Sequence, residues 1–256
     1  MTDTTSGKLK NLLDAWPARS VMTSRRLAEL GISNGLAREY VKNGWMQRVG
    51  RGAFKRPNSA IDWTAGVASI QNQLQLPVHV GALSALALQG ASQYLRLARE
   101  TIFLFSGPDA RLPTWFKNHE WEVDIDHVAT SFLPYDLSLR EESVNGHDLR
   151  ISSPERALLE CLYLAPDRAD LMESYEVAQG LMTLRPDLIQ KLLEACNSVK
   201  VKRLFLFVAN KAALPVMEHL DQTRIDLGSG SRSIVAGGVY DGQSNLILPK
   251  ELVQHD

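Results

Sequence analysis

The chain is short of cysteine, of long apolar runs and of net charge, and each shortage excludes something. Only Cys161 and Cys196 occur in 256 residues, each within an apolar-periodic stretch. Two buried thiols in a reducing compartment are therefore expected, rather than a disulfide framework. No run of about eighteen apolar residues occurs, so a membrane-spanning helix and a membrane partner are not expected. The first seven residues are polar and lack a secretory core, which points to a cytoplasmic protein. What is present is the composition of a globular protein, 45% apolar and 22% charged, long enough for two ordinary domains.

The formal net charge of −1 conceals an uneven distribution. Residues 1–60 carry eleven basic and four acidic side chains, a net of +7, whereas residues 61–256 carry a net of −8. Such asymmetry suggests a nucleic-acid-facing head on an acidic body.

Within the head, Leu9, Leu12, Leu13 and Trp16 recur at helical spacing, and Pro17 stops the helix expected over 6–16. Thr23 is a plausible N-cap for a second helix that turns Leu27 and Leu30 inward. Gly31 supplies a left-handed helix end, Ile32 plugs the turn, and Ser33 or Asn34 caps a third helix reaching about Asn43. At 100° per residue, Leu36, Ala37, Tyr40 and Val41 share one face of the third helix. Asn34, Arg38 and Lys42 share the opposite one. An amide and two cations suit base edges and phosphates, and two helices joined by a glycine turn form a helix-turn-helix. Residues 45–49 and 53–56 then read as a hairpin about Gly50-Arg51-Gly52, a wing carrying Arg48, Arg51, Lys55 and Arg56. A basic helix face alone can be merely solvated. It is the order of three helices, glycine turn and basic hairpin that points to DNA. Since winged helices also bind proteins, a protein-binding adaptor is the second reading.

After the linker Pro57-Asn58-Ser59, a mixed α/β body is expected, giving a winged helix-turn-helix over 1–58 and an α/β domain over 61–256. Helices are expected from Ile61, over 78–89 with an interruption at Gly81, after Ser153-Pro154, near 170–182 and 186–198, and over 203–209. Strands are expected over 101–106, 121–128 and 149–151, the last preceded by an Asn145-Gly146 turn. Ser153 with Pro154, and Ser152 with Glu155 as a capping box, mark the helix that carries Arg156 and Glu160.

Spacing gives no support for catalysis in the body, and no enzyme activity, cofactor or metal is expected. The six histidines, His79, His119, His127, His147, His219 and His255, form no H-x-H or H-x-x-x-H pair. Asp124 and Asp126 lie on one face of their strand and could hold a divalent ion, as a DNA-targeted nuclease would require; a solvated edge is the plainer account. Residues 228–232 (GSGSR) could cradle a phosphate but lack the G-x-x-x-x-G-K-[ST] spacing, and no G-x-S-x-G elbow occurs.

The chain resembles the AbiEi antitoxins of bacterial type IV toxin–antitoxin, or abortive infection, systems. The likeness rests on GWMQRVGRGAF at 44–54, VHVGALSALALQG at 78–90, IFLFS at 102–106, LPTWF at 112–116, ISSPERALLE at 151–160 and DLGSGSR at 226–232. It implies a winged-helix domain that binds inverted repeats in double-stranded DNA of its own promoter and represses its operon. It also implies a C-terminal domain that neutralises a nucleotidyltransferase-like toxin, typically without a stable complex. The family pattern has a Lys before the Arg of the glycine turn, where this chain has Ser231 before Arg232; any basic surface at that turn is reduced accordingly.

Overall fold

The computed structural model describes residues 3–90 and 100–254. The head opens with α1 (Asp3–Ala15), followed by β1 (Met22–Thr23), α2 (Ser24–Glu29), α3 (Asn34–Lys42), β2 (Gln47–Gly50) and β3 (Ala53–Lys55). Local chemistry accounts for each boundary. The Thr23 hydroxyl accepts from the Arg26 amide at 3.2 Å, and the Ser33 hydroxyl accepts from Leu36 at 3.2 Å. Each satisfies an amide that a helix start leaves without a partner. Gly31 turns with φ +74°, and Gly52 closes the hairpin with φ +86°, both in the left-handed region. The three strands form one antiparallel sheet in the order β1-β3-β2. Leu12, Trp16, Met22, Leu27, Ile32, Ala37, Tyr40, Met46 and Phe54 make a buried cluster of their own.

The body begins with α4 (Trp63–Ala68), capped by Asp62 and continued by a π-helical turn over Ser69–Gln73. Then come β4 (Val78–Val80), α5 (Ala82–Leu88), β5 (Thr101–Ser106), α6 (Thr114–Asn118), β6 (Asp124–Ala129), β7 (Leu139–Val144) and β8 (His147–Ser152). Helices α7 (Pro154–Leu164), α8 (Leu171–Gln179), α9 (Pro186–Ala195) and α10 (Val199–Lys211) follow. The described chain finishes with β9 (Arg232–Ser233), β10 (Val239–Asp241), β11 (Leu246–Leu248) and α11 (Lys250–Gln254). A mixed five-stranded sheet, ordered β6-β5-β4-β8-β7, carries the core; β9, β10 and β11 form a small separate sheet.

Three expectations are corrected. Residues 78–89 are not one interrupted helix: Val78, His79 and Val80 are the central strand, and only Ala82 onward is helical. All three strand residues are buried, so the alternation that marks a half-exposed strand is absent. Strand β7 escapes sequence reading because LREESV is a polar edge strand, its exposure set by pairing with β8. Its turn was legible, with Asn145 at φ 52° and Gly146 at φ 80°. Trp121 lies before β6, its indole donating to the Phe116 carbonyl at 2.9 Å. The capping box at Ser152 and Glu155 does not form either. Ser152 instead donates to Glu160, while Ser153 caps α7.

Head and body share packing. Val21 and Ala53 belong to the body's buried cluster. The Thr23 amide donates to Gln73 Oε1 at 2.8 Å, and Gln73 Nε2 donates to the Val21 carbonyl at 2.7 Å. On the outer edge, β2 lies against α6 so closely that a Cβ on Gly50 would stand 2.7 Å from the Cβ of Trp115. Gly50→Ala should therefore push the hairpin off α6 and destabilise the protein by about 1–3 kcal/mol. Thermal denaturation reads this, and an unchanged midpoint would show that hairpin and α6 are free to separate. Among the described residues, no helix is long and apolar enough to cross a membrane.

Candidate nucleic-acid interface

Helix α3 is built in two halves by its own residues. Ala37 and Tyr40 are buried, Leu36 and Val41 half-buried, and all four face the head's core. Asn34, Arg38 and Lys42 are exposed on the opposite side. Among the described residues none of these three makes a side-chain hydrogen bond or ion pair, so their polar atoms point at solvent. The two cations of α2, by contrast, are occupied: Arg25 and Arg26 both pair with Glu29, at 3.5 and 2.9 Å.

The hairpin residues divide more sharply than sequence suggested. Arg51 is exposed at the tip. Arg48 is exposed too, and its guanidinium stands over the Phe54 ring, 5.5 Å from the centroid, which steadies its direction. Lys55 is half-buried, and its charge helps to depress the His119 imidazole below the usual histidine range, after burial. Arg56 turns inward. Its guanidinium donates to the carbonyls of Leu13 and Trp16, and its Nε is buried without a partner. It closes the end of α1, where four carbonyls lack helical partners, and so it serves the head's fold. Sequence could not show this, because the contact spans forty residues.

Asp124 and Asp126, the carboxylates of the nuclease reading, stand two residues apart on β6. The Asp126 carboxylate is held by Arg168, with Nε donating at 3.1 Å. Among the described residues, which exclude His255, no three or more His, Cys, Asp or Glu side chains group as metal ligands. The glycine turn is arranged for a cation. Buried Arg203 donates from Nε to Leu227 O at 2.9 Å, from one terminal nitrogen to Gly230 O at 2.5 Å and Asn245 O at 3.2 Å, and from the other to Gly228 O at 3.2 Å. A phosphate cradle needs converging N–H groups; here carbonyls converge, and the cation they meet is the protein's own.

Comparison with known proteins meets this geometry at the family level. A family model described as "Transcriptional regulator, AbiEi antitoxin N-terminal domain" matches residues 5–97, and another described as "Transcriptional regulator, AbiEi antitoxin, Type IV TA system" matches residues 99–249. The chain belongs to the AbiEi antitoxin family. It is a transcriptional regulator and the antitoxin of a type IV toxin–antitoxin system, built as an N-terminal and a C-terminal domain with mixed α/β structure. Among solved structures it is similar to the RV2827C protein from Mycobacterium tuberculosis, with 15% identity and a TM-score of 0.64. That likeness covers 95% of this chain and 90% of the other; at such identity it is one of fold alone. No curated protein matches the chain. In this AbiEi protein the N-terminal match runs beyond the basic head to take in β4 and α5.

Proposed function

We propose that this AbiEi protein represses its own operon through a winged helix-turn-helix formed by residues 1–58. Helix α3 enters the major groove of inverted repeats in the promoter, with Asn34 and Arg38 meeting base edges and Lys42 a phosphate. Arg48, Arg51 and Lys55 of the β2–β3 hairpin hold phosphates or the neighbouring groove; Arg56 supports the head from within. The body, residues 61–256, acts in the cytoplasm against a nucleotidyltransferase-like toxin, without a stable complex between the two and without catalysis of its own. The observation that carries the DNA reading is the division of α3 into a buried apolar face and an exposed face of Asn34, Arg38 and Lys42, directly before a hairpin that exposes Arg48 and Arg51. An adaptor that binds only protein would not need base-reading side chains held clear of every internal partner.

A fluorescence-anisotropy titration of the full-length protein tests this, using duplex DNA from just upstream of its own gene against a scrambled duplex. The promoter duplex should bind at least about a thousandfold more tightly at physiological salt. Equal binding of both would leave a generic basic surface and remove the repressor reading.

A further inference from the structure

Four large hydrophobic side chains are exposed among the described residues: Leu13, Trp45, Met182 and Tyr240. Trp45 is the one that sits within the candidate interface, in the junction between α3 and β2. It is 41% exposed, while Trp16, Trp115 and Trp121 are at 4% or below. The ring is also held in place. Gly44, at φ +75°, ends α3 in the left-handed conformation, and the Trp45 and Met46 amides both donate to the Tyr40 carbonyl, at 2.9 and 3.3 Å. Met46 is then buried, which leaves Trp45 facing outward with its ring tilted against Tyr40, centroids 5.4 Å apart. Tyr40 is itself part of the head's core, so the indole rests on a fixed support.

A lone apolar ring on the surface calls for little explanation in general. This one is flanked in sequence by exposed Lys42 and Arg48, and no other exposed large hydrophobic side chain lies on α3 or the hairpin. A protein partner is served by a contiguous apolar centre; a single rigid ring in a segment that also exposes Lys42 and Arg48 instead matches the sugar–phosphate backbone, where apolar deoxyribose alternates with anions. The place in the fold agrees. In helix-turn-helix docking the N-terminal residues of the recognition helix reach bases, and the C-terminal end of the third helix of a homeodomain meets the backbone. We infer that Trp45 packs its indole on a deoxyribose of the bound duplex, at the end of α3 that meets the backbone. This rests on the DNA reading of α3 given above and adds to it an apolar anchor that fixes the depth and angle of the helix.

The test is intrinsic tryptophan emission of the full-length protein, titrated with unlabelled promoter duplex, beside anisotropy with the labelled duplex. Trp45→Phe and Trp45→Ala variants and a duplex with uracil for thymine complete the set. Emission of the unmodified protein should change on binding, and Trp45→Phe should lack that change while binding within about threefold of normal. Trp45→Ala should bind about tenfold more weakly, and the uracil duplex as well as the thymine one. Unchanged emission at saturating DNA, with binding visible by anisotropy, would overturn the inference and leave the DNA reading standing. A uracil penalty shown by the unmodified protein and absent from Trp45→Ala would place the ring on a thymine methyl and overturn the sugar contact. Absence of binding to any duplex removes both. Because the emission reading needs no variant, a Trp45→Ala chain that fails to fold does not blunt it.

Discussion

Arg38→Ala should cut the protein's preference for its promoter over a scrambled duplex by about 1–3 kcal/mol, the value of a bidentate arginine–guanine contact. Arg38 stands midway along the exposed face of α3, where its guanidinium can reach a base edge without leaving the helix. Its loss exposes no cavity, because the side chain already lies outside the core. The thermal midpoint should therefore stay where it is. Arg51→Ala and Lys55→Ala should behave differently. Each should weaken promoter and scrambled duplexes alike and lower the log–log dependence of affinity on salt by about 0.9 per lost phosphate contact. Anisotropy at two salt concentrations separates the two patterns. If Arg38 and the hairpin cations lose specificity equally, the division between base reading and phosphate holding is wrong. Arg56→Ala forms a third pattern, in which weaker binding is accompanied by a lower melting midpoint, because Arg56 caps α1.

How much of this was legible beforehand follows from the range of the interactions involved. The head was readable because its signals are local: Thr23, Gly31, Ser33 and Gly52 act within a few residues of themselves, and the two faces of α3 follow from helical period alone. The exposure of Asn34, Arg38, Lys42, Arg48 and Arg51 came out as the pattern implied. Arg56 did not, because one basic residue in a basic hairpin looks like another until the chain folds back on α1. The same holds in the body. Central strand β4 is hidden in an apolar run that reads equally well as helix, and polar edge strand β7 is hidden because only its neighbour makes it a strand. Arg156 and Glu160 were visible as a pair four residues apart, yet nothing in that spacing distinguishes a solvated helix pair from the buried centre they occupy. Trp45, left out of the interface on sequence, could have been suspected from its place between Lys42 and Arg48.

Glu160→Gln should cost the protein about 3–5 kcal/mol, the usual effect of removing one partner from a buried ion pair, and lower its melting midpoint by roughly 10 °C. Glu160 is fully buried in α7 and accepts four hydrogen bonds: from His79 Nε2 at 2.8 Å, the Ala82 amide at 3.0 Å, Ser152 Oγ at 2.7 Å and Arg156 Nε at 2.7 Å. It thereby joins central strand β4, the start of α5 and the end of β8. Arg156 extends the network to the carbonyls of Pro134 and Leu137, both at 2.7 Å. Gly81 makes the close approach possible, since a Cβ there would stand 2.3 Å from Glu160 Oε2. Ala82 holds φ 49°, a costly conformation kept in place by its bond to the carboxylate. A glutamine of the same size would leave the Arg156 charge unbalanced and aim an NH₂ group at donors. The pH dependence makes the assignment specific. Burial opposes ionisation of Glu160, but the charges of His79 and Arg156 and the hydrogen bonds from His79 and Ser152 outweigh it, taking the carboxyl from 4.5 down to about 2. A carboxyl depressed in the folded state contributes its full stability above its unfolded pKa and loses it as pH falls through the folded one. Stability of the unmodified protein should thus decline between about pH 5 and pH 2, and the Glu160→Gln variant should lack that part of the decline. Glu155, held at about 2 by Arg185 and Ser153 against its own burial, remains in both proteins and contributes to the slope that is left. So do Asp62, where burial is outweighed by hydrogen bonds that include those from Thr64, and Asp221, lowered by hydrogen bonds from Thr223. Urea midpoints across this range decide the matter: parallel curves for the two proteins would mean that the buried carboxylate is not what acid removes.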